Sequence, residues 1–459
     1  MNVFIQKRNL ITGSNDWIVE NENYDYHQEV ARSSFADMLH DTERNKLYEA
    51  ALKIGIQKIH EKGEKAIVLD IGTGTGLLSM MAVRNGADKV IACEAFKPMS
   101  ECALKVIELN GFKDRIQVIP KRSTQLTVGE TGDLKERCNI LVTEVFDTEL
   151  IGEGALSTFK HAHEVLLEKN CIVIPNSATI YAQVVECPYA FKWNRMKNYY
   201  DGNECLLKVP ESIKTCSGCA AVHDIQLNQL PLTSVKTLVS PIPVFQFDWS
   251  GRTPLIFEQS TIHNLRAECD GEAQAVFIWW DLKMDTENKI ILSCAPFWAH
   301  PLSKNQSDVK IPWRDHWMQA VYYLPKELRF AKGDELNLIT CHDEYSLWFN
   351  VRNVLRLENT DYVNPVCTCG FHLFPRTRIG QINDEQRNDV LVKTIKSYVN
   401  RKNVFIMGNG FYLALLASKF NADKIYIFEN NSFSKRIMND FIQYNDMKNV
   451  IIFEDLKIY

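Results

Sequence analysis

The chain has no apolar run approaching the roughly 20 residues that a membrane-spanning helix needs, so that class is excluded. Its opening, Met1-Asn2-Val3-Phe4-Ile5-Gln6-Lys7, lacks the long apolar stretch of a secretory leader. It also lacks an excess of positive charge. A formal net charge of −5 argues against a body built to grip nucleic acid, yet suits a basic partner. A disulfide scaffold is missing as well. The 13 cysteines are odd in number and show no small-domain spacing, which points to reduced thiols in the cytoplasm or nucleus. What is present is globular: 459 residues, 46% hydrophobic and 24% charged, enough for roughly two to four domains.

The most informative stretch is Val68-Leu69-Asp70-Ile71-Gly72-Thr73-Gly74-Thr75-Gly76. An apolar run from Ala66 to Leu69 predicts a buried parallel strand, and Leu77 to Val83 predicts a helix. Glycines between them let the backbone turn sharply and lie against a ligand at the amino end of that helix. Asp70, at the strand tip, is expected to accept from an amino or hydroxyl group. A second apolar strand, Lys89 to Cys93, ends in Glu94, the usual place for an acid that binds a ribose diol. Together these features predict a nucleoside-binding half-site.

Around this core the chain divides. Residues 1 to 65 predict N-terminal helices, with apolar residues at near-helical spacing from Tyr24 to Asp41 and on through Arg44. A helix there could close over the cofactor, with Arg44 gripping a carboxylate through its planar fork. Residues 66–175 form the nucleoside-binding domain. Its third strand, Arg115 to Ile119, leads to Lys121-Arg122-Ser123-Thr124 on the ligand side. A fourth strand, Asn139 to Thr143, runs into Glu144-Val145-Phe146-Asp147-Thr148-Glu149-Leu150-Ile151-Gly152-Glu153-Gly154, which is acidic and holds no basic residue. Carboxylates at a strand tip on the crevice side match a flat, permanently charged guanidinium in bidentate geometry. Glu144 and Glu153 are the candidate clamp.

The glycine loop, preceded by Asp-Ile, resembles the S-adenosylmethionine loop of class I methyltransferases. With Glu94, the Glu144…Glu153 pair and Asp315-His316-Trp317, the chain is similar to the protein arginine methyltransferase family, whose Thr-His-Trp loop this sequence varies with Asp for Thr. Met38-Leu39-His40-Asp41…Arg44 resembles that family's amino-terminal helix, and the acidic loop resembles its type III, monomethylating branch. The resemblance covers essentially the whole chain.

It implies a class I (Rossmann-like) α/β domain, a β-barrel over residues 176–365 and an incomplete second Rossmann-like domain over 403–459. Tyr189 to Asp201, within the barrel, would be an arm packing on a second catalytic unit. It further implies that Gly72, Gly74, Gly76, Asp70, Glu94, Ala95, Ser123 and Arg44 hold S-adenosylmethionine. Glu144 and Glu153 would orient the arginine, His316 would hold the N-terminal helix closed on an acid, and Asp147, Trp317 and Gln319 would shape the acceptor pocket. Expected partners are basic, arginine-containing proteins (histones or RNA-associated proteins), with no nucleic acid, no membrane and an internal pseudo-dimer in full-length relatives. Expected residence is cytoplasmic and nuclear.

Cys216-Ser217-Gly218-Cys219 has no second CxxC beside it and is read as a loop. In the junction at 366–402, Cys367, Cys369 and His372 can converge on one tetrahedral zinc, which the resemblance also implies. The fourth ligand must come from a distance, and Cys341 and His342 are candidates. A constant offset lays Ala87-Asp88-Lys89-Val90 on Ala422-Asp423-Lys424-Ile425 and Glu94 on Glu429, the mark of a duplicated half-domain. In this copy Phe405, Met407, Asn409 and Phe411 replace Asp70 and the three glycines, so it is expected not to bind the cofactor. It stops after its third strand, leaving an apolar sheet edge.

The leading expectation is methylation of a protein arginine to monomethylarginine. The alternatives are a small-molecule methyltransferase and a non-catalytic scaffold.

Overall fold

The computed structural model describes residues 2–8, 15–21, 35–214, 216, 218, 223–304, 311, 314–353, 363–374, 376–407 and 411–453. The chain opens on a hairpin, β1 (Asn2–Arg8) against β2 (Asn15–Asn21), where helices were expected. Alternating apolar residues such as Val3, Ile5, Trp17 and Val19 favour a strand there. Helix begins later, as α1 (Phe35–His40) and α2 (Thr42–Glu61), with a break at Asp41. Asp41 causes the break, because its side chain caps α2 by accepting from the Arg44 N–H at 2.9 Å. The predicted helical stretch before Phe35 lies outside the described residues.

A five-stranded parallel sheet follows, in the order β5 (Ile116–Ile119), β4 (Lys89–Cys93), β3 (Ile67–Ile71), β6 (Cys138–Thr143), β7 (Leu167–Ile174). Every residue of β3 is buried, as a central parallel strand requires. Helices α3 (Leu77–Arg84) and α4 (Lys97–Leu109) link the first three of these strands. The chain moves outward from β3 to β4 and β5, then returns to β6 on the other side. That reversal opens a crevice at the carboxyl ends of β3 and β6. It sets the glycine loop after β3 beside the acidic loop after β6.

The next unit is antiparallel. Strand β8 (Ser177–Glu186) pairs with β9 (Ile242–Asp248) and β11 (Gly271–Lys283), and β11 with β12 (Gln319–Phe330). A second sheet holds β10 (Gln259–Arg266), β13 (Glu335–His342) and β14 (Leu347–Asn353). One hydrophobic core runs through this unit and the parallel sheet. At its centre Phe159 stacks on Trp249 with ring centroids 4.5 Å apart, and Trp280 meets Trp317 edge-on at 4.9 Å. The acidic loop is thereby fixed to the second unit.

A separate core joins the aromatic arm to the last unit. There α5 (Arg376–Ile382) and α6 (Glu385–Tyr398) precede β15 (Asn403–Met407), α7 (Phe411–Lys419), β16 (Lys424–Phe428), α8 (Ser432–Tyr444) and β17 (Val450–Phe453). The three strands are parallel in the order β15-β16-β17, matching β3-β4-β5. The arm packs within this chain. Tyr199 donates to Asp389 at 2.9 Å, and a Cβ on Gly380 would lie 2.2 Å from the Trp193 ring. Phe405 and Met407 on β15 are exposed, whereas β3 is buried throughout. Gly408, Asn409 and Gly410, the altered loop, lie outside the described residues.

Candidate active site

A cavity of about 630 Å³ lies at the crevice, a size typical of cofactor sites. Its floor is Gly72, Thr73, Gly74 and Thr75, one wall is Glu94, another is Glu144 to Thr148 with Glu153, and Asp315 to Met318 close the far end. Phe35, Met38 and Leu39 of α1 form its roof. Gly72 and Gly74 hold φ of 72° and 55°, and a Cβ on Gly74 would come within 3.1 Å of the Phe35 ring.

Glu94 stands at the cavity with Oε2 accepting from the Gly74 N–H at 3.0 Å and Oε1 from the Phe96 N–H at 2.8 Å. These bonds aim the carboxylate and leave it acceptor capacity for a diol. Asp70 does something else. It is fully buried off the cavity and accepts from the hydroxyls of Thr73 and Ser79, each at 2.6 Å. Burial, partly countered by those hydroxyls, pushes its carboxyl up to about 6. Asp70 therefore braces the loop through Oδ2, while its buried Oδ1 has no partner. Gly76 also sits away from the cavity. Its φ is 85°, and a Cβ there would press within 3.1 Å of Ile107, so its task is helix packing. Ala95 and Ser123 are likewise not among the lining residues.

Arg44 reaches the cavity from the first turn of α2. Its Nη2 is 2.7 Å from Glu144 Oε2, and the two side chains are 6% and 8% exposed. Nη1 donates to Asn45 Oδ1 at 2.7 Å, and the guanidinium lies 5.5 Å from the Trp317 ring centroid. The Arg44 Nε is buried with no partner. Sequence reasoning placed Arg44 on the donor's carboxylate alone. The structure also makes it the counter-ion of a clamp residue.

Glu153 contrasts with Glu144. Among the described residues it makes no hydrogen bond or ion pair, and it opens to the cavity. Desolvation, with the charges of Glu144 and Asp147 close by, pushes its carboxyl up to about 7. Water in the cavity screens part of that shift, so the direction carries the argument. Asp147 lines the cavity and folds back on the loop, accepting from the Gly152 N–H at 3.1 Å. Glu149 turns away to Tyr322 and to the Leu347 N–H. Two indoles hold the loop from the antiparallel unit: Trp280 donates to the Asp147 carbonyl at 3.1 Å and Trp317 to the Phe146 carbonyl at 2.9 Å. Trp317 lines the cavity, but its N–H is already engaged.

Two expected residues fall elsewhere. Gln319, the first residue of β12, is buried away from the cavity. It accepts from the Leu227 N–H and donates to the Cys294 carbonyl at 2.7 Å. Cys341 sits on β13 with its sulfur 3.3 Å from Ser260 Oγ, outside any cysteine cluster. The His342 ring lies edge-on to Phe245. The sulfurs that gather are those of Cys216, Cys367 and Cys369, all within 4.8 Å of one another. Cys216, set aside in sequence as part of a loop, joins them from the segment that follows the arm. Cys219 lies outside the described residues. The His372 ring packs 3.7 Å from where a Gly218 Cβ would stand, and its Nδ1 is buried without a partner.

His316 also needs correcting. Its Nε2 is 3.7 Å from Asp41 Oδ2, and neither ring nitrogen makes a hydrogen bond. Burial, reinforced by Arg44 and Arg314, holds the imidazole down to about 4 despite the nearby Asp41, so it is neutral at physiological pH. The cation beside Asp41 is Arg314, two residues earlier, which sequence reasoning missed.

The glycine loop and Glu94 at the switch point of a parallel sheet, faced by the carboxylates of Glu144 and Glu153, give this crevice the layout of a class I methyltransferase site with one strongly acidic wall. Family profiles agree with both halves. Residues 51–151 match ribosomal protein L11 methyltransferase and residues 176–354 match the arginine methyltransferase oligomerization subdomain. The chain belongs to the protein arginine methyltransferase family. Relatives named protein arginine N-methyltransferase 7 are 48% identical over 447 residues in Aedes aegypti, 47% over 452 in Anopheles gambiae and 44% over 465 in Drosophila erecta. The matches cover 94%, 94% and 98% of this chain and 64%, 65% and 67% of those relatives, so the chain spans about two thirds of their length. A solved Trypanosoma brucei PRMT1 enzyme-prozyme heterotetrameric complex with AdoHcy shares the fold. Its TM-score is 0.52 at 20% identity, covering 70% of this chain and 94% of that one.

Proposed function

We propose that the chain methylates a guanidino nitrogen of arginine in basic proteins, using S-adenosylmethionine and giving monomethylarginine. The observation that carries this is Glu144 and Glu153 facing one cavity with the glycine loop and Glu94. The residues fit the donor. Gly72 and Gly74 offer bare backbone, Glu94 is aimed for a diol, and the orphaned Arg44 Nε awaits an anion such as a carboxylate. When bound, the donor supplies an electrophilic methyl on sulfur.

The chain's own residues do the rest. Glu144 and Glu153 take opposite edges of the guanidinium and turn one terminal nitrogen toward the methyl. By localising the positive charge they leave lone-pair density on that nitrogen. As the new N–C bond forms, the C–S electron pair returns to sulfur, and the nitrogen's proton becomes acidic. Glu153, raised toward neutrality and unpaired, is placed to take that proton. Positioning and the electrostatics of the two carboxylates supply most of the acceleration. A mass gain of one methylene on an arginine peptide, dependent on donor, tests the reading. No gain with arginine peptides, alongside turnover of a small metabolite, would overturn it.

Glu94→Ala should weaken donor binding by about 1.5–3 kcal/mol, the worth of charge-assisted hydrogen bonds to a diol. Calorimetry showing unchanged affinity would reduce Glu94 to a loop brace. The monomethyl product rests on crowding at the acceptor end, where Asp147 lies over Gly152 so closely that a Cβ there would collide with its carboxylate. Asp147 also favours basic residues flanking the target arginine. Abundant dimethylarginine after long incubation with excess donor would refute the monomethyl reading. Asp147→Gly should relax both product and flanking preference.

For the metal, the gathered thiols of Cys216, Cys367 and Cys369 suit a tetrahedral zinc, with His372, whose buried Nδ1 has no partner, as the candidate fourth ligand. Zinc there would tie the arm to the last unit.

A further inference from the structure

We propose that Arg314 is the positioning residue that holds the N-terminal helix down over the donor cavity, a role that sequence motifs direct to His316. This rests on the methyl-donor reading of that cavity given above.

Three groups converge on one guanidinium. Arg314 Nε lies 2.8 Å from Asp41 Oδ2, Nη2 donates to Glu43, and Nη1 donates to the Ser293 carbonyl at 2.9 Å. Its own carbonyl accepts from Gln226 Nε2 at 3.3 Å. The Arg314 side chain is 3% exposed and that of Asp41 5%. A guanidinium keeps its charge at every physiological pH and has a rigid fork of donors, so it hydrogen-bonds Glu43 and the Ser293 carbonyl while its Nε sits against Asp41 as a close ion pair. His316 reaches the same carboxylate only at 3.7 Å, with no hydrogen bond from either nitrogen.

What Arg314 holds matters for the donor. Asp41 is the break between α1 and α2, and its other oxygen caps the Arg44 N–H. Fixing Asp41 and Glu43 therefore fixes the first turn of α2, which aims Arg44 at Glu144. It also fixes α1, whose Phe35, Met38 and Leu39 roof the cavity. Without Arg314, two carboxylates at the start of α2 lose their charged partner, and the roof should lift.

The test has two arms, one of them free of donor. In ligand-free protein, hydrogen exchange at residues 35–41 should be at least tenfold faster in Arg314→Ala than in wild type. Exchange at β3 should not change. In the second arm, calorimetry with S-adenosylhomocysteine should show dissociation constants at least fivefold weaker for Arg314→Ala and about twofold weaker for Glu43→Gln. The latter changes only a partly exposed partner and does not threaten folding. Arg314→Lys, which keeps the charge but not the fork, should recover only part of the lost affinity, and His316→Ala should change affinity less than Arg314→Ala. Unchanged exchange at residues 35–41 would overturn the proposal. So would faster exchange throughout β3, or a larger effect from His316→Ala. If wild type binds no S-adenosylhomocysteine, the methyl-donor reading fails, and the exchange arm alone still decides whether Arg314 is the latch.

Discussion

Glu153→Gln is expected to lose at least a hundredfold in kcat/KM while binding donor as wild type does. Glu153 faces the acceptor end, and among the described residues it makes no hydrogen bond or ion pair, so replacing it disturbs no partner. Glutamine keeps the shape but gives up the charge that turns the guanidinium and the base that takes its proton. A hundredfold corresponds to about 2.7 kcal/mol of transition-state stabilisation. Retention of more than a tenth of wild-type kcat/KM would show that Glu153 does not hold the substrate. Glu144→Gln should be as damaging but less selective. It also strips the buried Arg44 of its counter-ion, so donor affinity should fall with it.

The pH dependence has a definite sign. The Glu153 carboxyl is raised toward about 7, and only its ionised form serves the clamp. Wild-type kcat/KM should therefore climb as pH rises through the raised pKa and level off only above it. In Glu153→Gln that limb should be absent. Stability runs the other way. Between the unfolded and folded pKa values the folded chain retains a proton that the unfolded chain releases, so this group's contribution declines as pH rises through that window. Above pH about 7 the Gln variant should melt no lower than wild type, and below about pH 4 the two should match.

How legible this was depended on whether the partners were near in sequence. Glu94 and Asp70 both end apolar strands, and the pattern gave them similar duties. Asp70's hydroxyl partners, Thr73 and Ser79, lie within its own loop and helix, and that local hydrogen bonding occupies its Oδ2 while Oδ1 stays buried without a partner. The pairing of Glu144 and Glu153 was readable because one loop carries both. Arg44 against Glu144 was not, since the ion pair spans a hundred residues and needs the closure of α2 over the sheet. Arg314 stood beside a recognisable Asp-His-Trp, and the motif drew attention to the histidine. Gln319 follows the same loop, yet as the first residue of β12 it spends its amide on Leu227 and Cys294. The sheets themselves were the easiest part, because continuous apolar runs and alternating ones have different periods.

Cys216→Ser should remove zinc from the protein, and Cys341→Ser should not. Spacing within the junction offered Cys367, Cys369 and His372, but the third sulfur comes from a chain segment that folding alone brings near. The Cys216 sulfur is 4.0 Å from that of Cys367, and the Cys367 and Cys369 sulfurs are 3.7 Å apart. Two buried sulfurs and one half-buried sulfur so gathered are a donor set that suits the zinc proposed above, with the orphaned His372 Nδ1 as the candidate fourth ligand. Around them Arg195 donates to the Cys216 carbonyl at 2.8 Å and the Leu324 carbonyl at 2.9 Å, while Arg436 donates to the Thr368 carbonyl at 2.7 Å. The junction therefore ties arm, antiparallel unit and last unit together. Its loss should loosen the arm and the last unit, which share a hydrophobic core distinct from that of the catalytic half. Elemental analysis of protein purified without added metal should find about one zinc per chain. Chelation should lower the unfolding transition of residues 363–453 by several degrees or split it from the rest, with S-adenosylhomocysteine affinity unchanged. Protein that carries no zinc, and whose three thiols titrate freely with no change in melting, would remove the metal from this chain.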